Sequence, residues 1–437
     1  MTELVSFDGG VRLPGVIARP ERYRSLAADA PGPRISRGAG LSYSAASFGG
    51  GALSVEHRRF NRVLAFDPQT GAVRVEAGIT LGELFDFLTP RGWFLAVQPG
   101  HPAISVGGCI AADVHGKNQA RDGNFRAQVE SLTLFHPSHG TSAVSRAAAP
   151  GLFALTCGGY GLTGSILDVT LRARPLPGAR LELAAAPLEG MRGLAALLAH
   201  GAAHSDSVYS WHDLSVSAKP FGRGVLLRGC FSKAPGVPGR RAASRPLTAA
   251  GRGAWHLPLL NGATCAVANA LLFRSLGASG NRSATLHEAL FPLAGRASRY
   301  FDLYGLRGFH EYQVLVPTLA FDVFAAELER LIRAHRIPVT LASAKYFGGR
   351  QELLRFDGPG VCFALDLPRS AASERWLSLL DELALGCGGI PNIIKDSRLP
   401  RAVVKRAFGQ FERFRSALLD FDPQRRYRSE LSERLGL

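Results

Sequence analysis

The stretch QPGHPAISVGGCIAADVHGKN, residues 98–118, sets closely spaced glycines beside a β-rich run and ends on His-Gly-Lys-Asn. Two further clusters share this character, PRISRGAGLSYSAASFGGG at 33–51 and LTCGGYGLTGSILDVTL at 155–171. Glycine tolerates positive φ and has no Cβ, so the backbone N–H groups of such loops can turn towards an anion. None of the three is a P-loop or a Rossmann fingerprint. A single cluster would indicate only tight turns, but three in this order predict a pyrophosphate site.

The rest of the chain indicates an α+β protein. From 34 to 177, short β-rich runs alternate with the glycine clusters and one helix, LGELFDFL at 81–88. A Pro/Gly break at 174–180 precedes two strand, helix and strand units, which end at IIKDSR. Such units predict one antiparallel or mixed sheet covered by helices. We therefore predict domains at 1–177 and 178–389, and a C-terminal segment at 390–437.

Charge is concentrated in one part of the sequence. The chain has 51 Lys and Arg against 35 Asp and Glu, a net charge of +16, and 46% of its 437 residues are hydrophobic, which excludes a disordered chain. Residues 214–287 hold no acid and ten Lys or Arg, partly in a basic loop at 232–253. This surplus predicts an acidic partner, which could be nucleic acid, a phosphorylated small molecule or an anionic membrane surface.

Other features exclude several classes of site. The six cysteines are never closer than 25 residues, so neither a zinc pair nor a dense disulfide framework is expected, and a reducing compartment fits best. The first residues are acidic and are followed by no apolar run, so we expect no cleaved signal peptide, and the uncharged stretch 253–273 contains Pro258 and is a poor spanning helix. We expect a cytoplasmic protein. His136 and His139 have a spacing that a metal could use, but a hairpin turn is the better interpretation, so no metal is predicted.

The order of the glycine motifs resembles that of a known protein superfamily. The order RGAGLSY, PGHPAISVGGCIAADVHGKN and GGYGLTG is similar to the flavin domain of the vanillyl-alcohol-oxidase superfamily. Within it, the sequences EYQVLVP, SAKYFG, VCFALDLP, IIKDSR and DFDPQRRYRSELSERL resemble, in order, the decaprenylphosphoryl-ribose oxidase family. The resemblance implies an FAD-binding domain of two lobes, a sheet-and-helix substrate domain, and a C-terminal segment that returns to the FAD domain.

The resemblance also assigns cofactor residues. The first loop would cradle the FAD pyrophosphate, the second would line the cofactor, and Ile166 would lie near its adenine or ribitol end. Many members of the superfamily bond the flavin covalently through a histidine in the first loop; Tyr43 occupies that region here, which implies non-covalent FAD. The predicted cofactor residues are Ser36, Arg37, Gly38, Ala39, Gly40, Leu41, Ser42, Tyr43, Ser44, Gly100, Ser105, Val106, Gly107, Gly108, Ala112, Asp113, His115, Ile166, Asn392 and Lys395.

Three residues are candidates for the chemistry: Lys395, His115 and Tyr43. Oxidation of an alcohol by a flavin needs a cation for the negative charge that gathers on the flavin ring, and a base for the hydroxyl proton. Lys395 is the predicted cation; a cationic neighbour could instead lower its pKa and let it act as the base, and the sequence does not decide between these two roles. His115 lies at the exit of the second loop, beside the cofactor.

Five residues are predicted to bind the substrate: Lys117, Glu311, Gln313, Lys345 and Cys362. The lysines suit an anion, and Glu311 and Gln313 alternate on a strand and so face the same side. The family has an amide where this chain has Glu311. The leading hypothesis is oxidation of a lipid-linked phospho-sugar at a membrane surface, with a partner reductase. Alternatives are a flavin enzyme for a soluble alditol or aldonolactone, and a non-enzymatic nucleic-acid-binding protein.

Overall fold

A computed structural model of the chain describes residues 1–27, 32–233, 236–239, 259–278 and 280–437. Most of the basic loop predicted at 232–253, and residues 253–258 of the uncharged stretch, lie outside the described residues. The last strand of the glycine-rich part ends before residue 178.

The first part of the chain contains three small sheets. Its strands are β1 (Thr2–Val5), β2 (Arg12–Ala18), β3 (Arg34–Arg37), β4 (Leu53–Glu56), β5 (Val63–Phe66), β6 (Ala72–Glu76), β7 (Trp93–Phe94), β8 (Val129–His136), β9 (Gly140–Ser145), β10 (Ser165–Arg172) and β11 (Arg174–Pro175). Its helices are α1 (Arg24–Ala27), α2 (Leu81–Leu88), α3 (Val106–Ala112), α4 (Gln119–Asp122) and α5 (Pro150–Thr156). The sheets have the orders β1-β2-β4-β3, β5-β6-β10-β8-β9 and β11-β7. The second sheet is antiparallel throughout, whereas β4 runs parallel to β2 and β3.

The second part builds one large antiparallel sheet with the order β15-β12-β14-β13-β17-β18-β16-β19. Its strands are β12 (Arg180–Leu188), β13 (Ser207–His212), β14 (Gly224–Ser232), β15 (Arg282–Thr285), β16 (Phe309–Val316), β17 (Leu341–Phe347), β18 (Gly360–Pro368) and β19 (Ile390–Pro391). The helices are α6 (Leu194–His204), α7 (Gly262–Ala278), α8 (Leu286–Leu290), α9 (Phe321–His335), α10 (Ala371–Gly386), α11 (Arg401–Ala407), α12 (Phe411–Phe421) and α13 (Glu430–Leu435).

The large sheet separates a core from a cavity. Successive residues of a strand point to opposite faces, and on β16 and β18 the residues Val314, Val316, Phe363 and Leu365 face the helices α6, α9 and α10 and are buried with them. The alternate residues of β13, β16, β17 and β18 form the cavity-facing side. We call this side the inner face; it comprises Tyr209, Trp211, Glu311, Gln313, Leu341, Ser343, Lys345, Ala364 and Asp366.

Helices α11 to α13 pack on the first part of the chain. Leu399, Val404, Phe411 and Leu431 are buried in one cluster with Ile35 of β3. The backbone of Glu430 donates to Phe48 O at 2.8 Å, and Arg428 donates to Arg34 O at 3.1 Å. Strand β19 itself pairs with β16 of the large sheet, so the C-terminal segment connects the two parts. The domain limits at 177 and 389 stay a prediction.

The local expectations agree with the structure in most places. The predicted helix at 81–88 is α2, which begins with a capping box between Thr80 and Glu83. The two units predicted beyond residue 311 form β16-α9-β17 and β18-α10-β19, and the fold is α+β as predicted. His136 ends β8 and His139 precedes β9, which confirms the hairpin. In one place the prediction was wrong: Lys395 does not end a strand, because β19 stops at Pro391 and Lys395 lies in the following turn.

The described part of the chain contains neither a membrane-spanning helix nor a metal-binding cluster. Helix α7, which includes residues 262–273 of the uncharged stretch, leaves Val267 and Leu271 exposed. Neither it nor another described helix is long and apolar enough to cross a membrane. Within the same residues, His, Cys, Asp and Glu side chains form no group that would hold a metal ion.

The first and second glycine loops approach each other closely at Gly38. A Cβ added at Gly38 would overlap Ser105 Oγ and lie 3.1 Å from Ser105 Cβ. Ser105 is the N-cap of α3, and its hydroxyl accepts from Gly108 N at 3.3 Å. The absence of a side chain at Gly38 is therefore what lets the loop that follows β3 pack against the start of α3.

Replacing Gly38 by Ala should displace the Ser105 hydroxyl and cost the cap of α3, about 0.5–2 kcal/mol of unfolding free energy. Chemical denaturation of the two proteins measures the loss. Gly50→Ala is the matched control, because a Cβ there meets nothing within 4 Å and the residue is exposed. Equal stability of Gly38→Ala and Gly50→Ala would contradict the close approach.

Candidate active site

A cavity of about 490 Å³ lies between the three glycine clusters and the inner face of the large sheet. The structure brings nearly all of the predicted site residues to its wall. They are Ser36, Arg37, Gly38, Ala39, Gly40, Leu41, Ser42, Tyr43, Gly100, Ser105, Gly107, Gly108, Ala112, Asp113, His115, Lys117, Ile166, Glu311, Gln313, Lys345, Asn392 and Lys395.

Three predicted residues do not line the cavity. Ser44 and Val106 are fully buried behind the first and second loops. Cys362 lies on the same side of β18 as Asp366, but it is covered and packs with Leu315, Phe347 and Phe356. Burial raises the pKa of the Cys362 thiol to about 12. The structure therefore gives Cys362 a packing role and leaves no reactive thiolate at that place.

The first loop offers unpaired backbone donors to the cavity. The N–H groups of Gly38, Ala39, Gly40 and Leu41 donate to no residue in the described ranges. Gly40 has φ +71°, a conformation that glycine adopts without strain. The Arg37 guanidinium donates to Ser47 Oγ at 3.0 Å and so holds one side of the loop. Such a run of free N–H groups fits a phosphate or pyrophosphate.

Backbone hydrogen bonds hold the second loop against the segment that precedes α2. Val106 N donates to Ile79 O and Gly107 N to Ala77 O, both at 2.8 Å. The helix α3 ends at Asp113, which has φ +44° and accepts from Arg126 N at 2.9 Å. Burial raises the pKa of Asp113 to about 6, although the Arg126 guanidinium 3.4 Å away acts in the opposite direction. Asp113 therefore fixes the turn into His115 through its contacts with Arg126.

A buried histidine at the edge of these loops was not expected. His57 lines the cavity, is 4% exposed, and neither ring nitrogen has a hydrogen-bond partner among the described residues. Burial lowers its pKa to about 4, so the ring is neutral. Together with the free N–H groups of the first loop, this orphaned polar ring fits a wall built for a ligand with polar atoms. The loops thus fit the FAD nucleotide that the resemblance implies.

Lys395 lies where the loops meet the inner face. Its Nζ is 3.0 Å from Glu311 Oε1 and 4.0 Å from the centroid of the Tyr43 ring. The Tyr43 ring is fixed by Phe7 and Phe309, at centroid distances of 5.0 and 5.5 Å. Lys395 thus lies between a carboxylate and an aromatic face, with which its ammonium makes an ion pair and a cation–π contact.

His115, Gln313 and Asn392 form a bridge between three segments. Gln313 Oε1 accepts from Asn392 Nδ2 at 2.5 Å and lies 3.3 Å from His115 Nε2. Asn392 N also donates to Gln313 O at 2.8 Å. Burial, with a contribution from Lys345, lowers the pKa of His115 to about 3. A neutral His115 that donates to Gln313 positions the inner face against the second loop and carries no charge near neutral pH.

The other two lysines are less strongly charged. Lys117 Nζ donates to Ala289 O at 2.9 Å and lies 4.4 Å from the Tyr209 ring centroid. Burial first, and Lys345 second, lower the pKa of Lys117 to about 7. Burial likewise lowers the pKa of Lys345, whose ammonium has no hydrogen-bond partner among the described residues. An anionic ligand between Lys117 and Lys345 would favour their charged forms.

Sequence reasoning missed several wall residues, of which Asp366 and Tyr300 matter most. Tyr300 OH donates to Asp366 Oδ2 at 2.9 Å. Asp366 could have been found, because Cys362 was placed on the inner side of β18 and residues 364 and 366 follow at the same period of two. Tyr300 lies in a 3-10 segment, Gly295–Arg307, whose sequence shows no such pattern. The remaining missed residues include Gln98, Tyr209, Trp211 and Ser343.

Comparison with known proteins supports the assignment of the cavity. A family model described as an FAD binding domain matches residues 23–142, the part that contains the first two loops. Decaprenylphosphoryl-beta-D-ribose oxidase of Mycolicibacterium smegmatis is 29% identical over 413 residues, 92% of this chain and 89% of that protein.

Two further relatives match shorter parts of the chain. D-lactate dehydrogenase of Anaerostipes hadrus is 26% identical over 149 residues, 33% of this chain and 31% of its own length. L-galactono-1,4-lactone dehydrogenase 1 of Oryza sativa is 37% identical over 112 residues, 26% of this chain and 19% of its own length. These names belong to oxidising enzymes. The chain is an FAD-dependent oxidoreductase with an FAD-binding domain, and it is similar over most of its length to decaprenylphosphoryl-beta-D-ribose oxidase.

Proposed function

We propose that the protein oxidises a secondary ring hydroxyl of a polyprenyl-phosphate-linked pentofuranose to a keto sugar. In this proposal it is the oxidase half of a two-step epimerisation, and a partner reductase reduces the keto group from the other face. The observation that carries the proposal is the extent of similarity. A match over 92% of the chain has to include most of the large sheet, and with it the inner face that would meet the substrate.

The composition of the cavity wall supports this substrate class. Lys117 and Lys345 lie on one wall and would hold a phosphodiester as point charges. Leu290, Leu293 and Phe301 line the same cavity and offer an apolar path for a prenyl chain. A ligand with an anionic group between a sugar and a hydrocarbon tail therefore matches the wall in both charge and hydropathy.

The chain's own groups would assist the chemistry in distinct ways. Bound FAD supplies the hydride acceptor. Lys395, held by Glu311 and the Tyr43 ring, would place a positive charge where negative charge builds up during hydride transfer. Gln313, fixed by Asn392 and His115, would orient the sugar.

The alternative substrate is a soluble alditol or aldonolactone. The similarity to L-galactono-1,4-lactone dehydrogenase favours it, but 112 residues are too few to cover both the glycine clusters and the large sheet. The similarity to the lactone dehydrogenase therefore covers a smaller part of the cavity wall than the match to decaprenylphosphoryl-beta-D-ribose oxidase, which extends over 92% of the chain. The predicted membrane contact stays a prediction, because most of the basic loop lies outside the described residues.

The substrate class is tested by anaerobic bleaching of the flavin absorbance. Purified, FAD-loaded protein should bleach with a polyprenyl-phospho-ribose and not with alditols or galactono-lactone at equal concentration. A polyprenyl phosphate without sugar is the control for binding of the lipid alone. Bleaching by a lactone or alditol, without bleaching by the lipid-linked sugar, would establish the alternative and reject the proposal.

The attachment of FAD is a separate proposal. Tyr43 stands where relatives with covalent flavin have a histidine, so we propose non-covalent FAD. Acid precipitation should leave the protein pellet colourless and release the flavin into the supernatant. Flavin that stays in the washed, denatured pellet would contradict the proposal and would direct attention to His57 and His115, the two histidines among the described residues that line the cavity.

Replacing Lys395 by Met should lower turnover by about 10²–10³-fold, the loss seen when one electrostatic contact to a developing charge is removed. Stopped-flow flavin bleaching measures the rate, and the absorbance of bound flavin reports FAD content. Lys405→Met is the matched control, because Lys405 is 56% exposed and pairs with Glu412 on the surface.

Loss of Lys395 also leaves Glu311 without its cation, so a second variant separates the two effects. The double variant Lys395→Met with Glu311→Gln removes the orphaned charge. If the double variant regains the wild-type rate, the lysine only neutralises Glu311, and its assigned role at the reacting centre is wrong.

A further inference from the structure

Two carboxyl groups face each other across the inner face of the sheet. The pairing register sets Glu311 of β16 directly opposite Asp366 of β18, and both residues line the cavity. Side chains at directly opposite positions have Cβ atoms about 4.5–5.5 Å apart, and like charges there are unfavourable. Ionising both carboxyl groups at the same time would therefore cost free energy.

The local partners decide which carboxyl group is ionised. Glu311 has the Lys395 ammonium 3.0 Å from Oε1. Asp366 is 5% exposed and forms no ion pair with a described residue. The titratable groups that face Asp366 are Glu311, Lys395 and the phenols of Tyr300 and Tyr304. Burial, and then the charge of Glu311, raise the pKa of Asp366 well above its usual range.

The hydroxyl network around Asp366 indicates where its proton lies. Thr340 Oγ1 donates to Asp366 O at 2.9 Å, and Tyr300 OH donates to Asp366 Oδ2 at 2.9 Å. Tyr304 OH bonds to Tyr300 OH and to Thr340 Oγ1. While Tyr300 OH donates to Oδ2, the proton of a neutral Asp366 lies on Oδ1. That oxygen has no hydrogen-bond partner among the described residues, on a side chain that borders the cavity.

Glu311 presents the complementary group. Its Oε1 faces Lys395, and its Oε2 has no hydrogen bond to a described residue. One strand therefore offers a donor, Oδ1–H of Asp366, and the next offers an acceptor, Oε2 of Glu311. Two neighbouring hydroxyl groups on a ring can be bound by this combination, since each hydroxyl can donate or accept: one would accept from Asp366 and the other would donate to Glu311.

We propose that Asp366 and Glu311 form a donor and acceptor pair that selects substrates with two adjacent ring hydroxyls. Asp366 acts as a neutral acid that donates to one hydroxyl, and Glu311 accepts from its neighbour. The inference deepens the proposed function and rests on it for the identity of the sugar, but the state of Asp366 does not depend on the substrate. A site built for a hydroxyl rejects the deoxy analogue strongly, by up to about 10⁴-fold.

The first test needs no substrate. Infrared spectra of the FAD-loaded protein at pH 7.5 should contain the C=O stretch of a protonated carboxyl group that is absent in Asp366→Asn. The surface variant Asp420→Asn, the same substitution at an exposed residue, should retain that band. If Asp366→Asn instead loses carboxylate bands, Asp366 is ionised and the proposal is overturned, whatever the protein oxidises.

The second test uses a polyprenyl-phospho-ribose and its 2-deoxy analogue, with flavin bleaching as the readout. Asp366→Leu should lower kcat/KM on the diol by about 10- to 100-fold, the loss of one hydrogen bond to a buried polar group, and hardly change it on the deoxy analogue. Asp366→Asn keeps a donor and an acceptor and should recover at least part of the loss. Equal losses on both compounds would overturn the proposal.

The two tests separate the two hypotheses. If the wild type bleaches only with a lactone or an alditol, the proposed function fails, and the diol comparison is made with that compound and its deoxy analogue. If nothing in the panel bleaches the flavin, the infrared difference still decides the state of Asp366. Asp366 could also prove to be protonated while Asp366→Leu lowers kcat/KM equally on the diol and on its deoxy analogue. That result would reject the selection of adjacent hydroxyls.

Discussion

The pairing register of β16, β18 and β17 is the constraint on which both the core and the cavity depend. It sets Glu311 against Asp366 and Gln313 against Ala364, and then Ser343 against Ala364 from the other side. Since side chains alternate with a period of two, a slip of one residue would turn the polar set into the helix-covered core and the apolar set towards the ligand. The buried contacts of β16 and β18 with α9 and α10 therefore fix the position of the site residues.

Burial governs the charge state of the cavity. It lowers the pKa of Lys117, Lys345 and His115, and it raises that of Asp366. Lys395 and Glu311, in contrast, lie 3.0 Å apart as an ion pair. The wall is thus rich in ionisable residues but holds several of them in or near their neutral forms. An arriving anion or proton changes their state, which is how a buried site responds to its ligand.

The sequence was sufficient for the parts of the site that have local patterns. The glycine clusters and the alternation of Glu311 with Gln313 predicted wall residues, because positive φ and a period of two are local properties. Cys362 was placed on the correct side of its strand, yet it is covered by Phe347 and Phe356, and no local pattern reports which end of a strand a cavity reaches. His57 and Tyr300 were missed for the same reason, since each comes to the wall only through tertiary packing.

The position of Lys395 shows how the C-terminal segment completes the site. Its turn follows the two-residue strand β19, and Asn392 in that turn bonds to Gln313 through both backbone and side chain. The same turn places Nζ over Tyr43 of the first loop. One short turn therefore joins the inner face to the glycine loops. A change in the pairing of β19 with β16 would move Lys395 and Gln313 together, so the alignment of the cation with the substrate wall is built into one backbone contact.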